Sequence, residues 1–131
     1  MIYLDTNVLI RWIEGDSITR TPIETKLAAL KSPEPFIITC RLSRLECRVK
    51  PLRDSNTNLL QLYEKLFNSE ELRLTEIHSA VIERATELRS QFNLKTPDAI
   101  HLASAIVEGC QSFLTGDKQL GKITLIDVQV V

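Results

Sequence analysis

Four acids in this chain stand where a carboxylate could do chemistry: Asp5, Glu46, Asp98 and Asp117. Asp5 follows the apolar run Ile2-Tyr3-Leu4 and opens a helical pattern, while Asp117 follows Phe113-Leu114-Thr115 across Gly116. Asp98 falls in the first turn of a helical segment that begins Thr96-Pro97 and is apolar over most of its surface. In open α/β sheets, ligands gather at the carboxyl ends of strands, where loops and helix starts meet. Asp5 and Asp117 are therefore expected on one rim if their strands are neighbours. Glu46 lies mid-helix beside a stripe of Leu42, Leu45 and Val49, about 40° beyond Leu42 at 100° per residue, at the border of the predicted buried face.

Each acid also has a plain structural use. Asp5 suits an N-cap, Asp98 the second helical position after a Thr96 cap, and Asp117 a turn; Glu46 can reach into water. The chemical reading comes from their conjunction. Carboxylates converging in a cleft repel one another unless a cation compensates. Mg²⁺ or Mn²⁺ suits an all-oxygen ligand set, and no His/Cys cluster has the spacing to hold zinc. Such a centre fits phosphodiester hydrolysis, and its ions would let an acidic pocket accept a polyanion.

The elements that must position these acids alternate between short apolar strands and amphipathic helices. Strands are predicted at Ile2–Leu4, Phe36–Thr39, Leu72–Leu74, Ser112–Thr115 and Ile123–Ile126. A helix carries Val8, Leu9, Trp12 and Ile13 until Gly15-Asp16. Thr21-Pro22-Ile23-Glu24 then has the form of a capping box, with Ile23, Leu27 and Leu30 as the buried stripe and Pro33 and Pro35 as the stop. A short helix is predicted over about residues 41–49, then a turn through Asp54-Ser55-Asn56. Leu59, Leu60, Tyr63, Leu66 and Phe67 mark another helix. The helix through Ile77, Ala80, Val81, Ala85 and Leu88 is expected to be capped by Thr75, and Gly109 closes the apolar helix after Asp98. Strands separated by helix-length segments imply an α/β fold: a central parallel sheet of four to five strands flanked by helices on both faces.

With these landmarks in place, the chain resembles the PIN-domain nucleases, and among them the VapC-like toxins of type II toxin–antitoxin pairs. The likeness runs in order through Ile2-Tyr3-Leu4-Asp5-Thr6-Asn7, Glu46, Thr96-Pro97-Asp98-Ala99-Ile100-His101-Leu102-Ala103 and Phe113-Leu114-Thr115-Gly116-Asp117. It covers nearly the whole chain, read as one domain over residues 1–131. The resemblance implies an Mg²⁺- or Mn²⁺-dependent endoribonuclease that leaves a 5′-phosphate and a 3′-hydroxyl. It gives Asp5 and Asp98 the role of principal metal ligands and Asp117 that of a second or weaker one. Glu46 would ligate or orient the attacking water, with Thr6, Asn7 and Thr115 supporting the acids. Gln119 stands where many relatives carry a further acid, which counts against two tightly held ions. The resemblance also implies a homodimer silenced by a cognate antitoxin protein.

The totals agree with that picture. At 131 residues, 44% hydrophobic and 25% charged, the chain suits one soluble globular domain. The formal net charge of −1 gives no overall attraction to nucleic acid. Arg41, Arg44, Arg48, Lys50 and Arg53 form the one basic cluster, read as an RNA-backbone ledge, a contact for an acidic partner, or a solvated face. Cys40, Cys47 and Cys110 match no zinc or redox pattern and are expected to be buried and reduced. The first residues do not read as a signal peptide, and no apolar run suggests a membrane span, so a cytoplasmic protein is expected. His101, one turn after Asp98, is expected to be a satisfied structural histidine, with contact to substrate or a carboxylate as the alternative.

Two rival functions make different demands on these residues. An aspartyl-nucleophile phosphatase usually needs a second aspartate two residues after the first, and Asn7 stands there. A non-catalytic RNA-binding or protein-interaction module would use the acids only as caps and turn residues.

Overall fold

Alternation along the first strand divides the interior in two. In β1 (Ile2–Leu4), Ile2 and Leu4 face one side of the sheet and Tyr3 the other, as the period of two requires. The computed structural model describes residues 1–29 and 36–131. Its five strands are β1, β2 (Ile37–Cys40), β3 (Leu72–Thr75), β4 (Ser112–Thr115) and β5 (Asp127–Val130). All pair in parallel, in the order β3-β2-β1-β4-β5. The chain steps outward from β1 to β3 in one direction and then returns to build β4 and β5 on the other side. The order therefore reverses between β1 and β4, and a crevice outside the carboxyl ends of strands at such a point is the usual ligand site.

Among the described residues, six helices cover the two faces. Ile2, Leu4, Ile37 and Leu114 pack with residues of α1 (Thr6–Glu14), α2 (Ser17–Ala28), α3 (Arg41–Arg53) and α4 (Thr57–Phe67). Tyr3, Ile38 and Phe113 pack on the opposite face against α5 (Ser79–Phe92) and α6 (Thr96–Val107). Both sides of the central strands are thus dry, which explains their unbroken apolar runs. The three cysteines are buried and free, as expected.

Several boundaries differ from the sequence reading, each for a local reason. The second helix begins at Ser17, because the Asp16 side chain accepts from the Thr19 amide at 2.8 Å and takes the cap. Thr21-Pro22-Ile23-Glu24 is consequently inside α2. Ile23 and Leu27 are buried as predicted, while Leu30, Pro33 and Pro35 lie outside the described residues. Strand β2 is shifted by one residue, to Ile37–Cys40. Thr75 does not cap α5; it ends β3, its hydroxyl donating to the Thr39 carbonyl, and His78 takes the cap position. Lys95, rather than Thr96, precedes α6.

The last strand is also displaced. Ile123 is buried beneath a 3-10 helix, Lys118–Lys122, and the pairing with β4 begins only at Asp127. As an edge strand, β5 is half exposed and lacks the apolar run expected of a central one. Finally, α3 is longer than predicted and presents a different face. Ser43, Cys47 and Pro51 are its buried residues, whereas Leu45 and Val49 are exposed.

Leu114 lies in β4 directly below the rim and is fully buried. Leu114→Ala should lower the unfolding free energy by about 3 kcal/mol, as for other large-to-small changes in a packed core. Equilibrium urea unfolding checks this; a loss below about 1 kcal/mol would mean that the region beneath the site is not tightly packed.

Candidate active site

The register of β1 against β4 sets Leu4 beside Leu114, so the next residues of both strands emerge on the same rim. Asp5 is the first of them, and only 4% of it is exposed. Its Oδ1 accepts from the Thr6 amide at 2.8 Å, capping α1 as the plain reading expected. Its Oδ2 accepts from the Thr115 hydroxyl at 2.8 Å and the Asn7 side-chain amide at 3.2 Å. Asn7 returns the link, its Oδ1 accepting from the Gly116 amide at 2.8 Å. The Thr115 oxygen also accepts from the Asp117 amide at 3.1 Å. Thr6, Asn7 and Thr115 therefore tie the end of β1 to the end of β4 and fix Asp5 between them.

Glu46 arrives from α3. Its Oε1 accepts from the Thr6 hydroxyl at 2.8 Å and stands 2.7 Å from His101 Nε2. Burial alone would raise the Glu46 carboxyl, but the hydrogen bonds from His101 and Thr6, with the imidazole charge, outweigh it and hold it below the ordinary glutamate value. Ser43, one turn before Glu46, stands 3.1 Å from the Thr6 hydroxyl and 2.6 Å from that of Thr39, which donates to the Leu4 carbonyl at 2.9 Å. Burial opposes a charge on His101, yet its bonds to Cys40 and Glu46 and the charge of Asp5 lift the imidazole to about 10.

Asp98 stands on the first turn of α6, half exposed. Burial and then the charges of Asp5 and Asp117 raise its carboxyl above the ordinary value, with His101 and Lys95 opposing. Asp98 thus feels the charges of both Asp5 and Asp117. Asp98 and Asp117 share a cavity of about 130 Å³ with Lys95, Gln119 and Lys122. A water takes roughly 30 Å³, so an ion with some of its waters fits such a space. Asp117 also caps the 3-10 helix, its Oδ1 accepting from the Gln119 amide at 2.9 Å.

Among the described residues, no three His, Cys, Asp or Glu side chains converge closely enough to hold a metal ion as they stand. The fit to a divalent cation is one of donor type and charge. The acids offer only oxygen, which hard cations prefer, and the mutual repulsion that raises Asp98 is what a cation would relieve.

Arg41, Arg44 and Arg48 are not brought to the acids. They line a separate open surface on α3 with Leu45, Val49 and Leu52. Arg44 and Arg48, two residues either side of Glu46, lie about 160° from it around the helix. Arg41 pairs with Glu76 at 2.8 Å; Arg44 pairs with Glu64 at 2.9 Å and lies over the Phe67 ring. Sequence reasoning passed over Tyr3, Thr39 and Ser43. Ser43 alone left a local signal, a small polar residue one helical turn before Glu46; the others reach the site only through the sheet.

A family model described as the PIN domain matches residues 2–125. No curated protein sequence matches the chain. Among solved structures, a toxin–antitoxin complex from Klebsiella pneumoniae superposes with a TM-score of 0.73 at 22% identity, over 96% of this chain and 95% of that one. VapBC2 from Rickettsia felis, bound to a DNA fragment from its promoter, gives 0.75 at 17% identity, over 99% and 98%. VapC20 from Mycobacterium tuberculosis, described as a Sarcin-Ricin loop cleaving toxin, gives 0.72 at 16% identity, over 97% and 99%. At these identities the structural likeness is one of fold.

The raised Asp98 carboxyl has a thermodynamic consequence. An acid whose folded pKa lies above its unfolded value favours the fold when protonated and weakens it as pH rises. Without metal, Asp98→Asn should therefore melt higher than the parent at pH 7, and the gap should close as pH falls below the ordinary aspartate value of 3.8. A variant melting several degrees lower at pH 7 would instead make Asp98 a structural residue.

Proposed function

We propose, from the premise that this chain belongs to the PIN-domain family, that it is a divalent-metal-dependent endoribonuclease and the toxin of a toxin–antitoxin pair. The observation that carries this reading is the placement of Asp5 on the β1–β4 rim at the switch point, with Asp98 and Asp117 lining one cavity and Asp98 raised by the charges of the other two. Those three would hold Mg²⁺ or Mn²⁺. When bound, the ion supplies charge neutralisation at the phosphate and a lowered pKa for water. Thr6, Asn7 and Thr115 keep Asp5 oriented for its role. Glu46, held ionised, accepts a hydrogen bond from the attacking water and so orients it towards the phosphorus.

The partner and substrate follow the same reading. The Klebsiella and Rickettsia neighbours are toxin–antitoxin assemblies, which supports a cognate antitoxin for this chain. The description of VapC20 as a Sarcin-Ricin loop cleaving toxin supports RNA as the substrate class. Among the described residues, no helix is long and apolar enough to cross a membrane. A homodimer acting on cytoplasmic RNA is part of the proposal. Arg41, Arg44 and Arg48 are its candidate contacts for the RNA backbone or an acidic partner. Exposed ion pairs such as Arg41–Glu76 contribute only about 0–1 kcal/mol, so a phosphate could replace a carboxylate at little cost.

Two linked measurements test the proposal. RNA cleavage should require Mg²⁺ or Mn²⁺ and fall by roughly 100-fold or more in Asp5→Asn, as for loss of a central electrostatic group. Calorimetric titration should show Mn²⁺ binding to the parent and little to the variant. Cleavage that persists in excess chelator would overturn the metal dependence, while a chain that cleaves no RNA and is indifferent to metal would favour the interaction module over the enzyme.

A further inference from the structure

Two hydrogen bonds reach the Glu46 carboxylate from the protein, and both end on Oε1: one from Thr6, the other from His101. Among the described residues, none hydrogen-bonds to Oε2. The Glu46 side chain is 31% exposed and the His101 side chain 2%, so the anchor is buried while the glutamate is partly open to solvent. A glutamate swings on three side-chain torsions, and holding it in one place costs entropy that must be met before substrate arrives.

His101 is itself fixed from behind. It follows Asp98 by three residues, so α6 presents both on one side. Its Nδ1 lies 2.7 Å from the Tyr3 hydroxyl, and Tyr3 is fully buried and stacked on Phe113 with ring centroids 5.2 Å apart. The Tyr3 oxygen already accepts from the Cys40 amide at 3.1 Å, so its own proton is free to go to Nδ1. The neutral ring then carries its proton on Nε2, facing Glu46. In the charged ring Nε2 carries a proton as well. Either way, Nε2 donates to Oε1.

We propose that His101, backed by Tyr3, is a positioning residue that anchors Glu46 through Oε1 and leaves Oε2 as the oxygen presented to the attacking water. The link to water rests on the nuclease reading of the site, whereas the anchor does not. Asp5 Oδ1 stands 3.9 Å from the same nitrogen, so the ring also spaces the two carboxylates. The arrangement follows a general rule: an active-site side chain works when a supporting shell has locked its rotamer.

The chain has only two histidines, so ring proton signals can be assigned in metal-free protein by comparison with His78→Gln. A slowly exchanging Nε2–H signal from His101 is expected in the parent. It should be lost or strongly shifted in Glu46→Ala, and should shift or exchange faster in Tyr3→Phe, which removes the hydroxyl that holds Nδ1. An Nε2–H signal indifferent to Glu46→Ala would overturn the anchor.

The cleavage arm uses two replacements that divide the ring between them. His101→Gln can place a donor near the Nε2 position, whereas His101→Asn reaches only as far as Nδ1. With both variants confirmed folded by thermal melting, kcat should fall by roughly 100-fold in the asparagine variant with KM little changed, as misplacement of a working group predicts. The glutamine variant should recover much of that loss. Equal activity of parent and asparagine variant would sink the positioning role. If the parent cleaves no RNA while the ring signal still reports Glu46, the anchor stands and the nuclease reading fails.

Discussion

The parallel pairing of β1 with β4 is the constraint on which the site depends. Their register, Leu4 beside Leu114, delivers Asp5 and Thr115 to the same rim, where the Thr115 hydroxyl donates to Asp5 at 2.8 Å. A slip of one residue would turn Tyr3 away from α6 and Asp5 away from Thr115. The sheet order makes this pair the topological switch point, so the helices that follow β1 and β2 leave the crevice from one face while α6 enters from the other. Glu46 and Asp98 thus come to the crevice from helices on opposite faces.

Bringing them together is expensive without help. Asp5 is nearly fully buried, and an uncompensated charge in that position would be strongly unfavourable. Four groups share the work of compensation: the Thr6 amide, the Thr115 hydroxyl, the Asn7 amide and, at longer range, His101. A polar chain runs on through Thr6, Ser43 and Thr39 to the backbone of β1. The result is a rim whose polar atoms are tied into the sheet, with Asp98 left as the acid that bears the residual repulsion.

Much of this was legible in the sequence, because three of the acids sit at punctuation marks. A strand followed at once by a helix start, and a proline at the second position of an apolar helix, are local signals. The parallel α/β class followed from the same alternation. Glu46 was placed near the buried face for the wrong reason. The stripe expected from Leu42, Leu45 and Val49 is largely exposed, and α3 buries Ser43, Cys47 and Pro51 instead. Hydrophobicity misleads there because a helix packed beside a polar rim buries small or polar residues, and the leucines are left on the open face with the arginines. The true start of α2 was hidden by two competing caps, of which Asp16 makes the bond. The tie between Tyr3 and His101 joins residues 98 apart, and no local pattern could announce it.

The proposed function needs one cation among Asp5, Asp98 and Asp117. Paramagnetic broadening of backbone amide signals by substoichiometric Mn²⁺ tests it most directly, because the effect falls steeply with distance from the ion. Thr6, Asp98, Gly116 and Asp117 should broaden first and together, and excess chelator should restore them. Broadening spread over surface acids such as Glu70 and Glu83, with the rim unaffected, would contradict that cation site.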